Sequence, residues 1–249
     1  MEKTEIKKAI EFISKAKQIT AFTGAGISTD SGIQSFRGEG GLWMKYNPNL
    51  LEINHFFENP KESWSLIKEL FIKNIINAKP NLAHYSLVSL EKMHKLRSVI
   101  TQNIDGLHQL AGNKNVYEFH GNSREVICTS CKKLYALNQI NLEKEIPLCP
   151  SCGGLLKPNF VFFGEDIPSD VYNSAIREAY LSDVFLIIGT SGEVMPASLI
   201  PHTAKDQGAI IIEVNTTKST YSDTITDVFL KGNAAKILNE LINLIEKYF

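Results

Sequence analysis

The stretch ITAFTGAGISTDSGIQSFRG, residues 19–38, carries the clearest indication of fold class in this chain. It begins with an apolar run of strand length and continues into Gly24 and Gly26, as a dinucleotide-binding strand and turn does. The third glycine of that fingerprint would fall at position 29, where the chain has Thr29. Further glycines follow where a dehydrogenase would continue a long crossover helix. The stretch therefore predicts a nucleotide site with a mobile first loop.

Other apolar runs of strand length end, like this one, in small or polar residues. Strands are predicted at 18–24, at 97–101 (running into a polar loop at 102–105), and at 115–122, 183–191 and 208–215. Residues with helical periodicity lie at 1–18, 60–78, 81–96 and 234–249. Continuous apolar runs are typical of strands buried on both faces of a parallel sheet. The alternation predicts a doubly wound, Rossmann-like α/β sheet whose ligands bind beyond the carboxyl ends of the strands.

One segment, 121–156, interrupts this alternation with short, polar, cysteine-bearing sequence. We therefore predict a large domain formed by 1–120 and 157–249, with a small zinc-ribbon insert at 121–156. Part of the 34–80 region is expected to join the insert.

The four cysteines form two C-x2-C pairs, CTSC and CPSC, separated by seventeen residues. Two such turns bring four thiolates together in the tetrahedral cage that zinc prefers. Two disulfides are one alternative, which fits poorly because a secretion signal is lacking. A redox C-x-x-C is the other, which fits poorly because the chain has a matched second pair. We predict one structural zinc, with no open position for catalysis, held by Cys128, Cys131, Cys149 and Cys152.

Composition narrows the classes of partner. The 249 residues are 43% hydrophobic and 21% charged, and the net charge of −1 provides no basic field for nucleic acid or anionic lipid. No apolar run approaches the 18 or more residues of a membrane span. The N-terminal segment lacks the apolar region of a signal peptide. We expect a cytoplasmic protein, a monomer, with no direct nucleic-acid or membrane partner.

His120 is the strongest candidate for a general base. It closes a short predicted strand and is followed by a Gly–Asn turn, which places its imidazole at the ligand edge of the sheet. Asn103 and Asp105 are suited to binding ribose hydroxyls or a carboxamide, and equally to an Asx turn that caps the next helix. We predict that the other histidines pack in the core or lie on the surface, although His108, in QNIDGLH, is near the site. These histidines are His55, His84, His94, His108 and His202.

Seven segments occur together in an order that resembles one family. They are TGAGIS with SGIQSFRG, TQNIDGLH, EFHGN, the paired C-x2-C motifs, KPNFVFFGE, IIGTSGEVMPAS and IIEVN. From about residue 19 to 214 the chain resembles the sirtuins, which are NAD-dependent protein-lysine deacylases. A sirtuin consumes NAD, so it needs a loop that closes over the nicotinamide ribose, and this explains the opening stretch.

The resemblance implies NAD as co-substrate. In it, Phe36 shields the reactive ribose carbon, Arg37 faces phosphate, Gln102 and Asn103 hold the ribose, and Asp105 binds the nicotinamide carboxamide. The full set implied to contact NAD is Gly24, Ala25, Gly26, Ser28, Phe36, Arg37, Gln102, Asn103, Asp105, Gly189, Thr190, Ser191, Asn215 and Ala234.

The resemblance also implies the reaction and the substrate, an acyl-lysine protein or peptide. The acyl oxygen attacks the ribose carbon as nicotinamide leaves, and His120, with Asn103 beside it as a second catalytic residue, takes a proton from a ribose hydroxyl. Free lysine and O-acyl-ADP-ribose result. The extended peptide is implied to pair by strand addition with a four-residue edge: Val161, Phe162, Phe163 and Gly164.

Acyl preference is predicted from the helix after Asn59–Pro60. Sirtuins that prefer acidic acyl groups carry Tyr-x-x-Arg there, whereas this chain has Trp64 and Ile67. We therefore predict that these two residues contact the acyl group and that neutral acyl groups are preferred over succinyl. The alternative is that this helix packs inward and the acyl pocket is lined elsewhere.

Two other functions share the same NAD chemistry. A mono-ADP-ribosyltransferase would use the same first step with a different acceptor. A non-catalytic module that senses NAD or ADP-ribose would need only the binding residues, and the presence of His120 and Asn103 argues against it.

Overall fold

The computed structural model describes residues 3–37 and 40–247, so the outermost residues of the two predicted terminal helices and part of SFRG lie outside the described residues. Within these ranges the strands are β1 (Ile19–Thr23), β2 (Leu96–Thr101), β3 (Val116–Glu118), β4 (Gly121–Cys128), β5 (Leu134–Ala136), β6 (Leu156–Phe160), β7 (Val184–Ile188), β8 (Ile210–Asn215) and β9 (Val228–Lys231). The α-helices are α1 (Lys3–Lys15), α2 (Ile53–Glu58), α3 (Pro60–Ile67), α4 (Lys73–Ile75), α5 (Leu82–Lys92), α6 (Leu107–Ala111), α7 (Ser169–Tyr180), α8 (Ile200–Asp206) and α9 (Ala234–Ile245).

Six parallel strands form the main sheet in the order β3-β2-β1-β7-β8-β9. Every residue of β1 and β7 is buried, as their apolar sequences predicted. Chain order reverses between these two strands, and an open α/β sheet binds its ligand at such a reversal, beyond the carboxyl ends of the strands. The predicted doubly wound fold is confirmed, and the reversal point gives the expected position of the site.

Helices cover both faces of this sheet. On one face α1, α5 and α9 pack against residues such as Ile19 and Ala21, and on the other α7 and α8 pack against Phe22 and Phe185. Successive side chains of a strand point to opposite faces, which is why neighbours in β1 serve different cores. None of the helices in the described part of the chain is long and apolar enough to span a bilayer.

A second unit, which we call the small domain, consists of residues 42–75 and 121–160. Its antiparallel sheet has the order β5-β4-β6, and its core joins this sheet to the helical residues 42–75. The antiparallel sheet therefore extends to the end of β6 at Phe160, and the helical residues 42–75 pack against it. The helix predicted at 60–78 is α3 and α4, joined by the π-helical turn Lys68–Ile72.

One predicted strand ends where its apolar run ends, before the polar loop at 102–105, and another, predicted at 115–122, ends earlier. β2 ends at Thr101 and β3 ends at Glu118, so the polar residues after them lie in loops. The loop after β2 carries Gln102 to Asp105, and the turn after β3 carries His120. Both loops lie at the carboxyl edge of the sheet, where the site is expected.

Candidate active site

A cavity of about 690 Å³ opens at the point where the strand order reverses. The ends of β1, β2, β7 and β8 form its floor, and the segment after β6 forms a wall. Most residues predicted from the sequence to bind NAD or peptide line it: Gly24, Ala25, Gly26, Phe36, Arg37, Gln102, Asn103, His120, Val161, Phe162, Phe163, Gly164, Gly189, Thr190, Ser191, Asn215 and Ala234.

Three glycines form a cradle between β1 and β7. A Cβ atom on Gly26 would lie 2.6 Å from the Cα of Gly189, and one on Gly24 would lie 2.8 Å from the Gly189 carbonyl oxygen. Gly189 itself has φ +62°, a left-handed conformation that favours glycine. The backbone then enters a 3-10 helix at Ala25–Ser31. Bare backbone at the start of a helix suits the close approach of a diphosphate, so the cradle fits NAD.

His120 is held as a neutral base. Its Nδ1 lies 3.1 Å from the Gln102 carbonyl oxygen, which can only accept, so Nδ1 carries the proton and Nε2 is the basic nitrogen. Burial lowers the pKa of His120, and the hydrogen bond to Gln102 raises it by a smaller amount. The imidazole therefore stays unprotonated at neutral pH, as a general base must be.

Asn103 lines the cavity, and hydrogen bonds to groups behind the floor hold its side chain in place. Its Nδ2 donates to the Gly24 carbonyl and to Ser28 Oγ, both at 3.2 Å. Ser28 Oγ in turn donates to Asp105 Oδ2 at 2.7 Å, and Asp105 Oδ1 caps Leu107 N at 2.9 Å. Burial raises the pKa of Asp105, and these two hydrogen bonds lower it. Ser28 and Asp105 lie outside the cavity lining, and Asp105 forms the Asx cap that was the alternative interpretation.

Two buried histidines brace the same floor. His108 Nε2 lies 3.0 Å from Thr23 Oγ1, which is bonded to Thr101 Oγ1, and Thr101 Oγ1 accepts from Asn103 N. The ring of His84 lies 4.9 Å from that of His108, and its Nδ1 accepts from a backbone N–H at the start of α5. Both histidines therefore have the packing and loop-bracing roles that the sequence suggested.

The burial of these two histidines predicts that the folded protein loses stability in acid. Burial lowers the pKa of His84 to about 4, and burial together with the neighbouring His84 lowers that of His108 to about 3. Histidines of the unfolded chain take up protons near pH 6.5, whereas His84 and His108 in the folded protein stay neutral until the pH approaches 4 and 3. The free energy of unfolding is therefore highest above pH 6.5 and falls as the pH drops toward these two values. We expect the unfolding free energy to fall by about 3 kcal/mol between pH 6.5 and 4 through His84 alone.

Urea unfolding of wild type and His84→Gln at several pH values measures this effect. Glutamine keeps an acceptor for the backbone N–H but does not titrate, so the variant should show a shallower loss of stability. Parallel pH profiles for the two proteins would show that His84 is not responsible.

Aromatic side chains line one end of the cavity. The ring of Phe36 lies 5.3 Å from Trp43 and 6.2 Å from Phe71, and Phe71 lies 5.4 Å from Phe160. Trp43, Phe71 and Phe160 were missed by the sequence reasoning, because an aromatic residue in a helix or strand carries no signal for a cavity rather than a core.

The predicted contact of Trp64 and Ile67 with the acyl group finds no support in the cavity. Both are buried in the core of the small domain, and neither is among the lining residues. The Trp64 indole N–H donates to the Leu156 carbonyl at 2.9 Å, which holds the ring inward against β6. The structure thus has the alternative arrangement, in which this helix packs inward and Phe71, farther along it, reaches the cavity.

The cations in the described part of the cavity lining already have partners. Arg37 Nε lies 2.7 Å from a carboxylate oxygen of Glu193, and Lys218 Nζ lies 2.5 Å from Asp223. Arg97 is paired with Glu178 at the start of β2, the opposite end of the sheet from the cavity.

The wall at 161–164 is only partly available to a peptide. The N–H of Phe163 donates to the Leu51 carbonyl at 3.0 Å, and its carbonyl accepts from Ile53 N at 2.9 Å. Val161 N donates to the His120 carbonyl at 2.9 Å. Within the described ranges, the Val161 carbonyl and the Gly164 N–H have no hydrogen-bond partner, so they are the groups that an extended peptide can use.

The four cysteines form a cluster that fits a metal. They are not disulfide-bonded, and their Sγ atoms all lie within 4.8 Å of one another. Two of the separations are 3.5 Å and 3.8 Å, close to the ~3.8 Å expected for sulfurs bound tetrahedrally at 2.3 Å from zinc. Cys128, Cys131, Cys149 and Cys152 are therefore placed to hold one structural zinc.

Comparison with known proteins places the chain in a family. The model of the Sir2 family matches residues 24–196. An NAD-dependent protein deacetylase of Pyrobaculum aerophilum is 42% identical over 244 residues, 96% of this chain and 94% of its own. An NAD-dependent protein deacylase of Pyrococcus furiosus is 44% identical over 243 residues, 95% of this chain and 96% of its own.

Solved structures agree over the whole fold. A Sir2 homologue in complex with NAD has a TM-score of 0.91 at 38% identity, covering 97% of this chain and 94% of that one. A Sir2 protein bound to a propionylated peptide has a TM-score of 0.89 at 34% identity, covering 98% of each chain. With a matching family model, close relatives and a shared fold, the chain belongs to the Sir2 family.

Proposed function

We propose that this protein is an NAD-dependent protein-lysine deacylase that releases nicotinamide and O-acyl-ADP-ribose. The observation that carries the proposal is one cavity with a glycine cradle for a diphosphate at one side and a neutral histidine base, His120, at another. The relatives named as NAD-dependent deacylases and deacetylases support it.

The residues of the cavity have separate roles in binding and catalysis. Gly24, Gly26 and Gly189 receive the diphosphate, and Asn103 holds a ribose. When bound, NAD supplies the ribose carbon that accepts the acyl oxygen while nicotinamide departs. His120 then takes a proton from a ribose hydroxyl at Nε2, the nitrogen left basic by the hydrogen bond to Gln102.

We propose further roles for residues at the edges of the cavity. Phe36 excludes water from the reacting ribose, and Arg37 exchanges its partner Glu193 for phosphate. Thr190 and Ser191 face phosphate, and Asp105 keeps its proposed link to the nicotinamide carboxamide. That last contact requires a shift of the loop, because Asp105 is bonded to Ser28 behind the lining. The remaining members of the proposed NAD site are Ala25, Gln102, Asn215 and Ala234, which line the cavity, and Ser28, which lies behind the lining.

Nicotinamide release tests the proposed reaction. We expect release to depend on both NAD and an acyl-lysine peptide, with little signal when either is omitted. Release without peptide, accompanied by labelling of protein from NAD carrying a labelled adenylate, would indicate a mono-ADP-ribosyltransferase. NAD binding without any release would indicate a sensing module. The base at His120 favours the deacylase over both.

We propose that neutral acyl groups are preferred over succinyl. The carboxylate of a buried succinyl group loses hydration worth several kcal/mol unless a cation replaces it. At the aromatic end of the cavity Phe36, Trp43 and Phe71 present apolar rings, and the cations of the described lining are paired. Each buried methylene of a neutral chain instead adds up to about 0.8 kcal/mol.

The expected result is a difference of at least about tenfold in kcat/KM, equivalent to ~1.4 kcal/mol, between acetyl-lysine and succinyl-lysine forms of one peptide. Using the same peptide sequence holds every contact outside the acyl group constant. Equal efficiency on the two forms would defeat the proposal and would indicate that a cation reaches the succinyl carboxylate.

A cytoplasmic location is also proposed, because four unpaired cysteines arranged for zinc suit a reducing compartment. A monomeric state, and the lack of nucleic-acid and membrane partners, stay predictions.

A further inference from the structure

The segment 160–165, which contains the cavity wall at 161–164, is held from behind by a partly buried ion pair. Lys157, on β6, has only 8% of its surface exposed, and its Nζ lies 2.9 Å from Oε2 of Glu165. The same ammonium donates to the Phe160 carbonyl at 2.7 Å and lies 4.5 Å from the centre of the Phe162 ring. One buried cation therefore contacts the start, the middle and the end of the wall.

Glu165 closes the segment on itself. Its Oε2 accepts from Phe162 N at 2.8 Å, and its own N–H donates to the Phe162 carbonyl at 3.0 Å. Gly164, between them, has φ +85°, which completes the tight turn. All six residues of the segment 160–165 line the cavity, so the ion pair contacts that wall along its length.

The pair also connects to the groups that face a peptide. Val161, inside this segment, lines the cavity and donates its N–H to the His120 carbonyl at 2.9 Å, while its own carbonyl has no hydrogen-bond partner among the described residues. Gly164 also lines the cavity, and its N–H likewise has no hydrogen-bond partner among the described residues. A movement of this turn would change the spacing of these two groups and their distance from His120.

Electrostatics favour a geometric role for the pair over a stabilising one. Burial lowers the pKa of Lys157, and Glu165 beside it raises that pKa. A buried ion pair is often no more stable than apolar side chains of similar volume, because both ions lose their hydration. What apolar side chains would not provide is the set of directed hydrogen bonds to Phe160 and Phe162.

We propose that Lys157 and Glu165 are positioning residues for the acyl-lysine peptide, holding the Val161 carbonyl and the Gly164 N–H in the register at which the extended peptide binds. The proposal rests on the proposed deacylase function. It predicts an effect on the peptide and not on NAD, because the glycine cradle belongs to the other sheet.

The test compares steady-state kinetics of Lys157→Met, Lys157→Arg and wild type. We expect Lys157→Met to raise KM for an acetyl-lysine peptide by about tenfold, as lost charge-assisted hydrogen bonds would, while KM for NAD stays within about twofold. Lys157→Arg keeps the charge and the donors and should restore most of the peptide affinity. Lys61→Met is the matched control, because it removes an exposed Lys–Glu pair from the same small domain.

Removing only the cation leaves the partly buried carboxylate of Glu165 without its ion-pair partner. If Lys157→Met does not fold, Lys157→Met/Glu165→Gln, which leaves no charge at this site, is measured in its place with the same expectation. Unchanged KM for the peptide in a folded variant would overturn the proposal. So would equal rises in KM for peptide and NAD that Lys157→Arg fails to reverse, since these indicate a merely structural pair. Failure of the deacylase function itself would appear differently, as wild type without peptide-dependent nicotinamide release.

Discussion

Replacing any one of the four cysteines, for example Cys128→Ser, is expected to abolish zinc binding and unfold the small domain. Structural zinc sites contribute on the order of 10 kcal/mol, which is comparable to the whole free energy of unfolding of a typical domain. The core that contains Cys128 and Cys149 also contains Phe160 and Phe162, which line the cavity. Loss of the metal should therefore remove activity through the cavity wall, without any part for zinc in the chemistry.

Metal analysis of the purified protein and thermal unfolding measure this together. We expect one zinc per chain in wild type and in Ser130→Ala, a control within the same CTSC loop, and none in Cys128→Ser. Wild-type protein free of zinc, or a Cys128→Ser variant of full stability, would contradict a structural metal.

His120→Ala is expected to lower the rate of deacylation by about 10²- to 10⁴-fold, the usual effect of losing a general base. NAD binding should remain close to that of wild type, because the glycine cradle does not depend on the imidazole. The loss should appear in kcat more than in KM for NAD, since the base acts after the co-substrate is bound.

Calorimetric titration with NAD and a deacylation assay separate these two effects. His202→Ala, which removes a half-buried imidazole on α8, serves as the control and should retain wild-type turnover. Wild-type turnover in His120→Ala would show that this imidazole is structural and that another group removes the proton.

Much of the fold could be predicted because its central strands carry an unambiguous pattern. β1 and β7 are continuous apolar runs because both faces of the sheet are covered, and they end in the glycines of the cradle. α7 was missed although its sequence carries a helical period. Val171, Tyr172 and Ile176 pack against the core beside the buried Ala175 and Ala179, and these positions lie on one face of a helix.

The limits of the sequence are clearest at the acyl end of the site. Trp64, Ile67 and Phe71 lie on one helical segment, and no pattern distinguishes a core aromatic from a cavity aromatic. Whether an aromatic ring faces the core or the cavity depends on tertiary contacts, such as the hydrogen bond from Trp64 to β6. The positioning role of the Lys157–Glu165 pair could not be predicted from the sequence either, because it depends on how far the pair is buried and on the turn that it closes.

The products of one turnover test the central claim most directly. Wild type, NAD and an acetyl-lysine peptide should yield nicotinamide, deacetylated peptide and acetylated ADP-ribose in equal amounts, as measured by mass spectrometry of the quenched reaction. Free acetate with NAD left intact, or ADP-ribose attached to protein in place of acetylated ADP-ribose, would contradict the proposed deacylase.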